Sequence, residues 1–462
     1  MCGIFAVSNH PEAPRLTYLG LYALQHRGEE SAGIISFDGK KTSYQKKMGQ
    51  VGEAFGEESL NSLKGKYALG HVRYSTTGSS ALINIQPFFA RHKKGHISIA
   101  HNGNLTNTFN LHNKMENEGS IFQTTADSEI ITHLIAKSSK KKIKEKVKWA
   151  ISQLEGAYSL AVMVDGMIVG ARDPFGFRPL CLGKLNNSYI LASETCAFDL
   201  IHAKYIRDVD PGEVLFIKDE KLESIKLDKK EKKSFCIFEN VYFARPDSNI
   251  FEKNVYLTRK RLGQQLAKEY KPDCDFAMPI PDSGSYAALG YVDAAKIPYE
   301  TGMIRNHYVG RTFIQPSQFI RDFRVRVKLN PVKDVLAGKK VLIIEDSIVR
   351  GTTSRARIKT LREAGAKEVH MGVSCPPIKF PCFYGIDFPT KEELIASQKE
   401  IDEIRDFMGL DSLHYLSLEG MLEAMYLPGD SFCTACFSGK YPTHIPESFD
   451  KNMLEEVRKC QN

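Results

Sequence analysis

Apolar and polar positions change their rhythm partway along this chain. Up to about residue 228, short runs of apolar alternation recur at 3–7, 33–37, 67–72, 97–100, 158–164, 168–171 and 189–192, the pattern of strands. Helical spacing is confined there to 16–26, 128–136 and 146–154. Many strands with few crossover helices predict antiparallel sheets covered by helices. From about 255 the pattern alternates: 257–270 helical, 276–280 a strand, 286–295 helical, 341–344 a strand, 368–374 a further strand. That order predicts a parallel sheet, so the fold class is α+β followed by α/β. The lysine-rich stretch 228–234 has no apolar period and reads as a linker, which sets expected domains at 1–230 and 231–462. Residues 308–327 are basic and poorly periodic, as expected of a lid, and short helices are expected at 391–408 and 418–425.

The run Val341, Leu342, Ile343, Ile344 is dry enough for a strand buried on both faces, and Glu345 and Asp346 follow it at once. Acids at the carboxyl end of a parallel strand stand where such sheets bind ligands. The loop that follows holds Ser347, Val349, Arg350, Gly351, Thr352 and Thr353, then a helix carries Ile358, Leu361 and Ala364 and stops at Gly365. A loop entering a helix N-terminus offers free N–H groups and a positive dipole end, which suit phosphate, while the acids suit sugar hydroxyls or hydrated magnesium. The other reading is an ordinary turn with solvated acids and a hydroxyl cap, since neither G-x-x-x-x-G-K-[ST] nor G-x-G-x-x-G occurs here.

Composition narrows the class. With 462 residues, 42% hydrophobic and 26% charged, the chain is that of a soluble globular protein of two or three domains. No apolar run spans a bilayer and the N-terminus lacks a basic flank, so neither signal peptide nor anchor is expected, and a cytoplasmic location is. The net charge of +8 is modest and clusters in lysine runs; it favours anionic small molecules over nucleic acid. Ten cysteines without a secretory signal imply reduced thiols.

Cys2 follows Met1 directly. Once the methionine is removed, one residue carries a thiol of pKa about 8.5 and an amine of pKa about 7.7 to 8.0, nucleophile and base together. A cysteine at position 2 by chance is the competing reading until its company is considered. That company is LQHRGEESAG (24–33), GHVRYSTTG (70–78) and AHNGNLTN (100–107).

In these strings the first 230 or so residues resemble the glutamine amidotransferases of the N-terminal nucleophile hydrolase class, which implies an αββα sandwich. The resemblance implies Cys2 as nucleophile, Asn102 and the N–H of Gly103 as oxyanion hole, Arg73 for the glutamine carboxylate and Asp127, in TTADSE, for its ammonium group. Glu29 stands where related sequences have glutamine. The stretch 341–354 resembles type I phosphoribosyltransferases. Both halves in this order, with FARPDS (243–248), PDSG (281–284), YVGRTFIQPSQ (308–318) and CFYGID (382–387), resemble the amidophosphoribosyltransferase family.

That resemblance implies glutamine hydrolysis at Cys2 and passage of ammonia to 5-phosphoribosyl 1-diphosphate, the first step of purine synthesis. It also implies magnesium at Ser283, Glu345 and Asp346, with Glu345 replacing the usual aspartate, purine nucleotides as feedback inhibitors and a homo-oligomer, dimer or tetramer. The alternatives are another glutamine amidotransferase or a non-catalytic phosphoribosyl-binding regulator. Cys433 and Cys436 form C-x-x-C; with Cys236 and Cys382 they would suit zinc or iron-sulfur by spacing, or stand as free thiols. The resemblance implies a 4Fe-4S cluster on the four, as in the iron-sulfur branch of the family.

Overall fold

Strand β1 (Gly3–Val7) is buried over its whole length, and its alternate side chains enter different cores: Phe5 and Val7 on one face, Ile4 and Ala6 on the other. A strand can do this only when covered on both sides. The computed structural model describes residues 1–74, 80–92, 95–228, 231–306, 329–388, 390–446 and 454–455. The expected lid at 308–327 therefore lies outside the described residues, as do Cys460, the tail of the 70–78 string and part of the 228–234 linker.

Thirteen strands build the first half: β1, β2 (Ser31–Phe37), β3 (Thr42–Met48), β4 (Tyr67–Arg73), β5 (Phe88–His92), β6 (Gly95–Leu105), β7 (Gly156–Val164), β8 (Met167–Arg172), β9 (Cys181–Leu185), β10 (Ser188–Ala192), β11 (Lys204–Asp208), β12 (Glu213–Lys218) and β13 (Lys221–Lys226). They form a seven-stranded sheet, β11-β9-β10-β1-β4-β2-β3, and a six-stranded sheet, β13-β12-β8-β7-β6-β5, antiparallel as expected. Between the sheets lie Ile4, Ile35 and Leu69 against Ala161, Met163 and Ile217. Helix α1 (Ala13–Ala23) covers the first sheet; α2 (Thr108–Asn117), α3 (Glu129–Lys137) and α4 (Ile143–Ser152) cover the second. The layers are helix, sheet, sheet, helix.

Six of these strands and α2 go beyond the sequence expectation. β3, β11 and β13 are edge or near-edge strands with mostly polar, exposed faces, so alternation is weak there. β12 is the converse, a buried run (Val214 to Ile217) without alternation.

The second half holds a four-stranded parallel sheet in the order β15 (Phe276–Pro279), β16 (Lys340–Glu345), β17 (Glu368–Val373) and β18 (Ser412–Tyr415). Helices α5 (Val255–Glu269), α6 (Ser285–Ala295) and α7 (Thr352–Glu363) flank it. Val341, Leu342, Ile343 and Ile344 are fully buried on central β16, each contributing roughly 1.5 to 3 kcal/mol by burial. The helix expected over 391–408 is broken, with α8 (Ile401–Met408) its long part, and α9 (Leu418–Ala424) follows. A short strand after the linker, β14 (Phe235–Cys236), pairs in parallel with β19 (Phe432–Cys433).

Candidate active sites

Cys2 stands at the mouth of β1, where pairing of Gly3 with Val72 sets it beside Arg73 on β4. Met1 is still attached, so the Cys2 nitrogen is a peptide N–H; it donates to Asn102 Oδ1 at 3.2 Å. The Cys2 thiol faces the Tyr74 carbonyl at 3.6 Å. Asn102 and Gly103 lie on β6 of the second sheet, paired with Ser159 and Tyr158 of β7, and the Cys2–Asn102 hydrogen bond joins the two sheets there. Asn102 is fully buried, and its Nδ2 has no hydrogen-bond partner among the described residues. A buried donor left unpaired costs about 1 to 3 kcal/mol, and here it belongs to the side chain that holds the Cys2 N–H, ready for an oxygen that arrives with a ligand.

Arg73 and Asp127, expected at the ends of a zwitterionic substrate, are both buried. Arg73 donates to Glu30 at 2.6 Å, so a carboxylate already occupies one side of the guanidinium. Asp127 accepts from Leu105 N at 3.0 Å and from Ser128 Oγ at 2.9 Å, with His101 Nδ1 3.6 Å away. Burial opposes charge on both members of this pair, yet their mutual attraction outweighs it: His101 ends above its ordinary pKa and Asp127 below. Burial also pushes the Met1 amine down to about 5.

Beneath Cys2 lies a charge network that joins residues of the 24–33 and 243–248 strings to Glu194 and Glu239, two acids that no motif marks. Arg27 is fully buried; its Nε donates to the Cys2 carbonyl at 2.9 Å, Nη1 to Glu194, and Nη2 to Glu239 at 2.8 Å. Glu194 also faces His26 Nε2 at 2.7 Å and accepts from Ser248 Oγ at 2.7 Å and Arg245 N at 2.8 Å. Burial alone would raise the Glu194 pKa, but His26 and Arg27 hold it far below the usual range. Ser248 and Arg245 belong to the FARPDS string, so this network ties the nucleophile's backbone to the second half. The CFYGID string reaches the site too. Arg178 donates twice to the Tyr384 carbonyl, Asn104 Nδ2 donates to the Phe383 carbonyl at 2.9 Å, and Gly385 packs on Gly103.

The second site is at the carboxyl end of β16. Asp346 is 5% exposed and accepts from Ser347 Oγ at 2.5 Å. Gly351, in the left-handed region at φ +74°, turns the chain into α7, whose first residues Thr352 and Thr353 are exposed with no side-chain cap on their N–H groups. The loop is braced from outside: Ile395 N donates to Val349 O at 3.0 Å, and Arg350 pairs with Glu393 at 3.2 Å. Ser283 follows β15, in a loop held to β16 by Ile280 N on Ile344 O at 3.0 Å, which brings it to the same sheet edge as Asp346. Glu345 behaves differently. Its longer arm reaches Arg357 on α7, whose Nη1 donates to Oε2 at 3.0 Å, and burial pushes its pKa well up despite that partner.

Cys236, Cys382, Cys433 and Cys436 come together. Cys236 and Cys433 are paired residues of β14 and β19. Burial pushes the Cys436 thiol well up, and Cys236, Cys433 and Cys382 add to it as electrostatic neighbours. Cys382 Sγ accepts from Tyr384 N at 3.4 Å. Among the described residues, no group of three or more His, Cys, Asp or Glu side chains is close enough for one metal ion.

A family model for the glutamine amidotransferase domain matches residues 71–199. The Bacillus subtilis amidophosphoribosyltransferase is 49% identical over 99% of this chain and 97% of its own length, and that of Archaeoglobus fulgidus is 47% identical over 96% and 99%. A solved structure described as the allosteric regulatory enzyme of purine biosynthesis superimposes with a TM-score of 0.93 at 48% identity, covering 98% of this chain and 99% of that one. The Bacillus subtilis enzyme complexed with ADP and GMP gives 0.92 at 48% identity, over 97% and 99%. Antiparallel sandwich, parallel sheet and identity across nearly the whole length agree: this chain belongs to the amidophosphoribosyltransferase family, glutamine-dependent enzymes that carry out the first step of de novo purine synthesis.

Proposed function

We propose that Cys2, freed from Met1, is the glutamine nucleophile and that Asn102 Nδ2 with Gly103 N–H holds the oxyanion. The observation that carries this reading is the buried, unpartnered Nδ2 of Asn102, the side chain whose Oδ1 accepts from the Cys2 N–H. The thiolate attacks the amide carbon, the Cys2 amine having taken the thiol proton, and the carbonyl oxygen becomes an oxyanion. That proton passes to the leaving nitrogen as the carbon–nitrogen bond breaks, releasing ammonia and leaving a thioester. Water hydrolyses the thioester to glutamate and restores the thiol. Arg73 pairs with the substrate carboxylate and Asp127 with its ammonium group; Glu30, now on Arg73, shifts aside or shares the guanidinium.

Ammonia then attacks carbon 1 of 5-phosphoribosyl 1-diphosphate as the bond to diphosphate breaks, giving 5-phosphoribosylamine after loss of a proton. The loop Ser347, Val349, Arg350, Gly351, Thr352 and Thr353 takes the 5-phosphate, with uncapped helix N–H groups as donors. Asp346 takes the ribose hydroxyls. Ser283 and Asp346 fit magnesium as hard oxygen donors at one sheet edge; when bound, the ion offsets the charge of the departing diphosphate. Our boundary between the two units is 230/231, between the end of β13 at Lys226 and the start of β14 at Phe235.

The four cysteines, of which Cys236, Cys382 and Cys436 are buried and Cys433 is partly exposed, fit a 4Fe-4S cluster better than zinc. One zinc ion with Zn–S bonds of about 2.3 Å draws its thiolates together, whereas a cluster accepts thiols spread around a larger body. Purine nucleotides as feedback inhibitors are supported by the relative solved with ADP and GMP. A homo-oligomer and a cytoplasmic location complete the proposal; among the described residues no helix is long and apolar enough to cross a membrane. The test of the nucleophile is direct. A diazoketone analogue of glutamine should label Cys2 and block glutamine-dependent synthesis, and mass spectrometry placing the label elsewhere would overturn the assignment.

A further inference from the structure

The two acids that end β16 have unlike surroundings. The Glu345 side chain is 5% exposed and is held by Arg357 Nη1 at 3.0 Å. Arg357 lies on α7, the helix that opens at the phosphate loop, and its Nε is buried with no partner among the described residues. The Arg357 side chain as a whole is still 23% exposed, so the guanidinium lies partly in solvent and partly against Glu345. Asp346 is in no ion pair among the described residues; its neighbours are Ser347 Oγ, the Glu345 carboxyl and, as an electrostatic influence, buried Arg259 on α5.

We infer that Arg357 is a positioning residue which fixes Glu345 as a strut between β16 and α7, leaving Asp346 as the one acid delivered to the ribose and the divalent cation. This rests on reading the 341–354 turn as the phosphoribosyl diphosphate site. A carboxylate that already accepts from a part-buried guanidinium has less to offer a cation. Arg357 also brings a positive charge to the end of the sheet, which favours a polyanion at the loop. Glu in place of Asp is what makes the contact: its extra methylene carries the carboxylate to the helix.

The test is calorimetric binding of 5-phosphoribosyl 1-diphosphate to the full chain over a range of magnesium concentrations. Asp346→Asn should weaken magnesium-dependent binding by about 10-fold or more, as losses at a metal site do. Glu345→Gln, which can still accept from Arg357, should change the half-saturating magnesium concentration by less than about 2-fold. Arg357→Met should free Glu345 for the cation and lower the half-saturating magnesium by about 3-fold or more. Equal losses in Glu345→Gln and Asp346→Asn, or unchanged magnesium dependence in Arg357→Met, would overturn the strut. No effect of Asp346→Asn would instead overturn the site itself. Denaturant unfolding of each variant separates these outcomes from loss of fold, and Arg357→Lys should restore part of the wild-type dependence.

Discussion

Gly385 lies so close to Gly103 that a methyl group on it would stand 2.8 Å from the Gly103 carbonyl carbon and oxygen. Gly385 also has φ +101°, where a side chain is strained by about 1 to 2 kcal/mol. The backbone that presents the proposed oxyanion donor is thus buttressed by a segment of the other half. Gly385→Ala should lower kcat for glutamine hydrolysis between about 10- and 100-fold, the cost of displacing a reacting geometry, with KM for glutamine little changed. Ammonium-driven synthesis, which bypasses the amide site, should persist. Steady-state assays with each nitrogen source check this; an equal loss with both would point to general unfolding.

Cys2→Ala should abolish glutamine-dependent synthesis and keep ammonium-dependent synthesis, because the phosphoribosyl site needs only ammonia. Loss of both activities in a folded variant would count against two separable sites.

The Glu194 carboxylate gives a pH prediction. Its folded pKa is depressed below the unfolded value of about 4.3, so its contribution to stability is complete above that pH and declines as pH falls toward the folded pKa. Glu194→Gln should destabilise the protein by roughly 3 kcal/mol at pH 7, as when a buried pair is broken. The gap between wild type and variant in denaturant unfolding should stay constant from pH 7 to about 5 and narrow below about 4. A gap independent of pH down to acid unfolding would contradict the charge network.

Protein purified without oxygen should be brown and contain about four irons per chain if the cysteines hold a 4Fe-4S cluster. Cys433→Ser should bleach it. Colourless protein with stoichiometric zinc would replace iron with zinc in the proposal.

What could be read in advance followed from local pattern. The strand at 341–344 and its acids are visible in six consecutive letters, because a strand buried on both faces cannot hide its apolar run. Cys2, Asn102 and Arg73 were named through motif resemblance, and the strand pairing brings them together. Glu194, Glu239 and Arg178 carry no mark in the sequence, and Arg27, though it stands in the 24–33 string, gives no sign there of its burial: nothing in a string distinguishes a guanidinium that will be fully buried from one in water, and only partners distant in sequence decide it. The Glu345 and Arg357 contact was hidden for a related reason. Twelve positions separate them, spanning a loop and more than a turn of α7, so it depends on how the helix lies on the sheet.

The pairing of β14 with β19 has a consequence for how the molecule is made. Phe235 and Cys236 must wait about 200 residues for Phe432 and Cys433, which at ordinary elongation rates of about 5 to 20 residues per second is about 10 to 40 s. Both antiparallel sheets are complete in sequence by residue 226 and can close on the ribosome during that interval. Cys236, by contrast, stays open beside Phe235 and Phe238 until the second half has been synthesised, a window in which thiol oxidation and aromatic exposure are greatest. A centre on all four of these cysteines can form only once Cys436 has been synthesised.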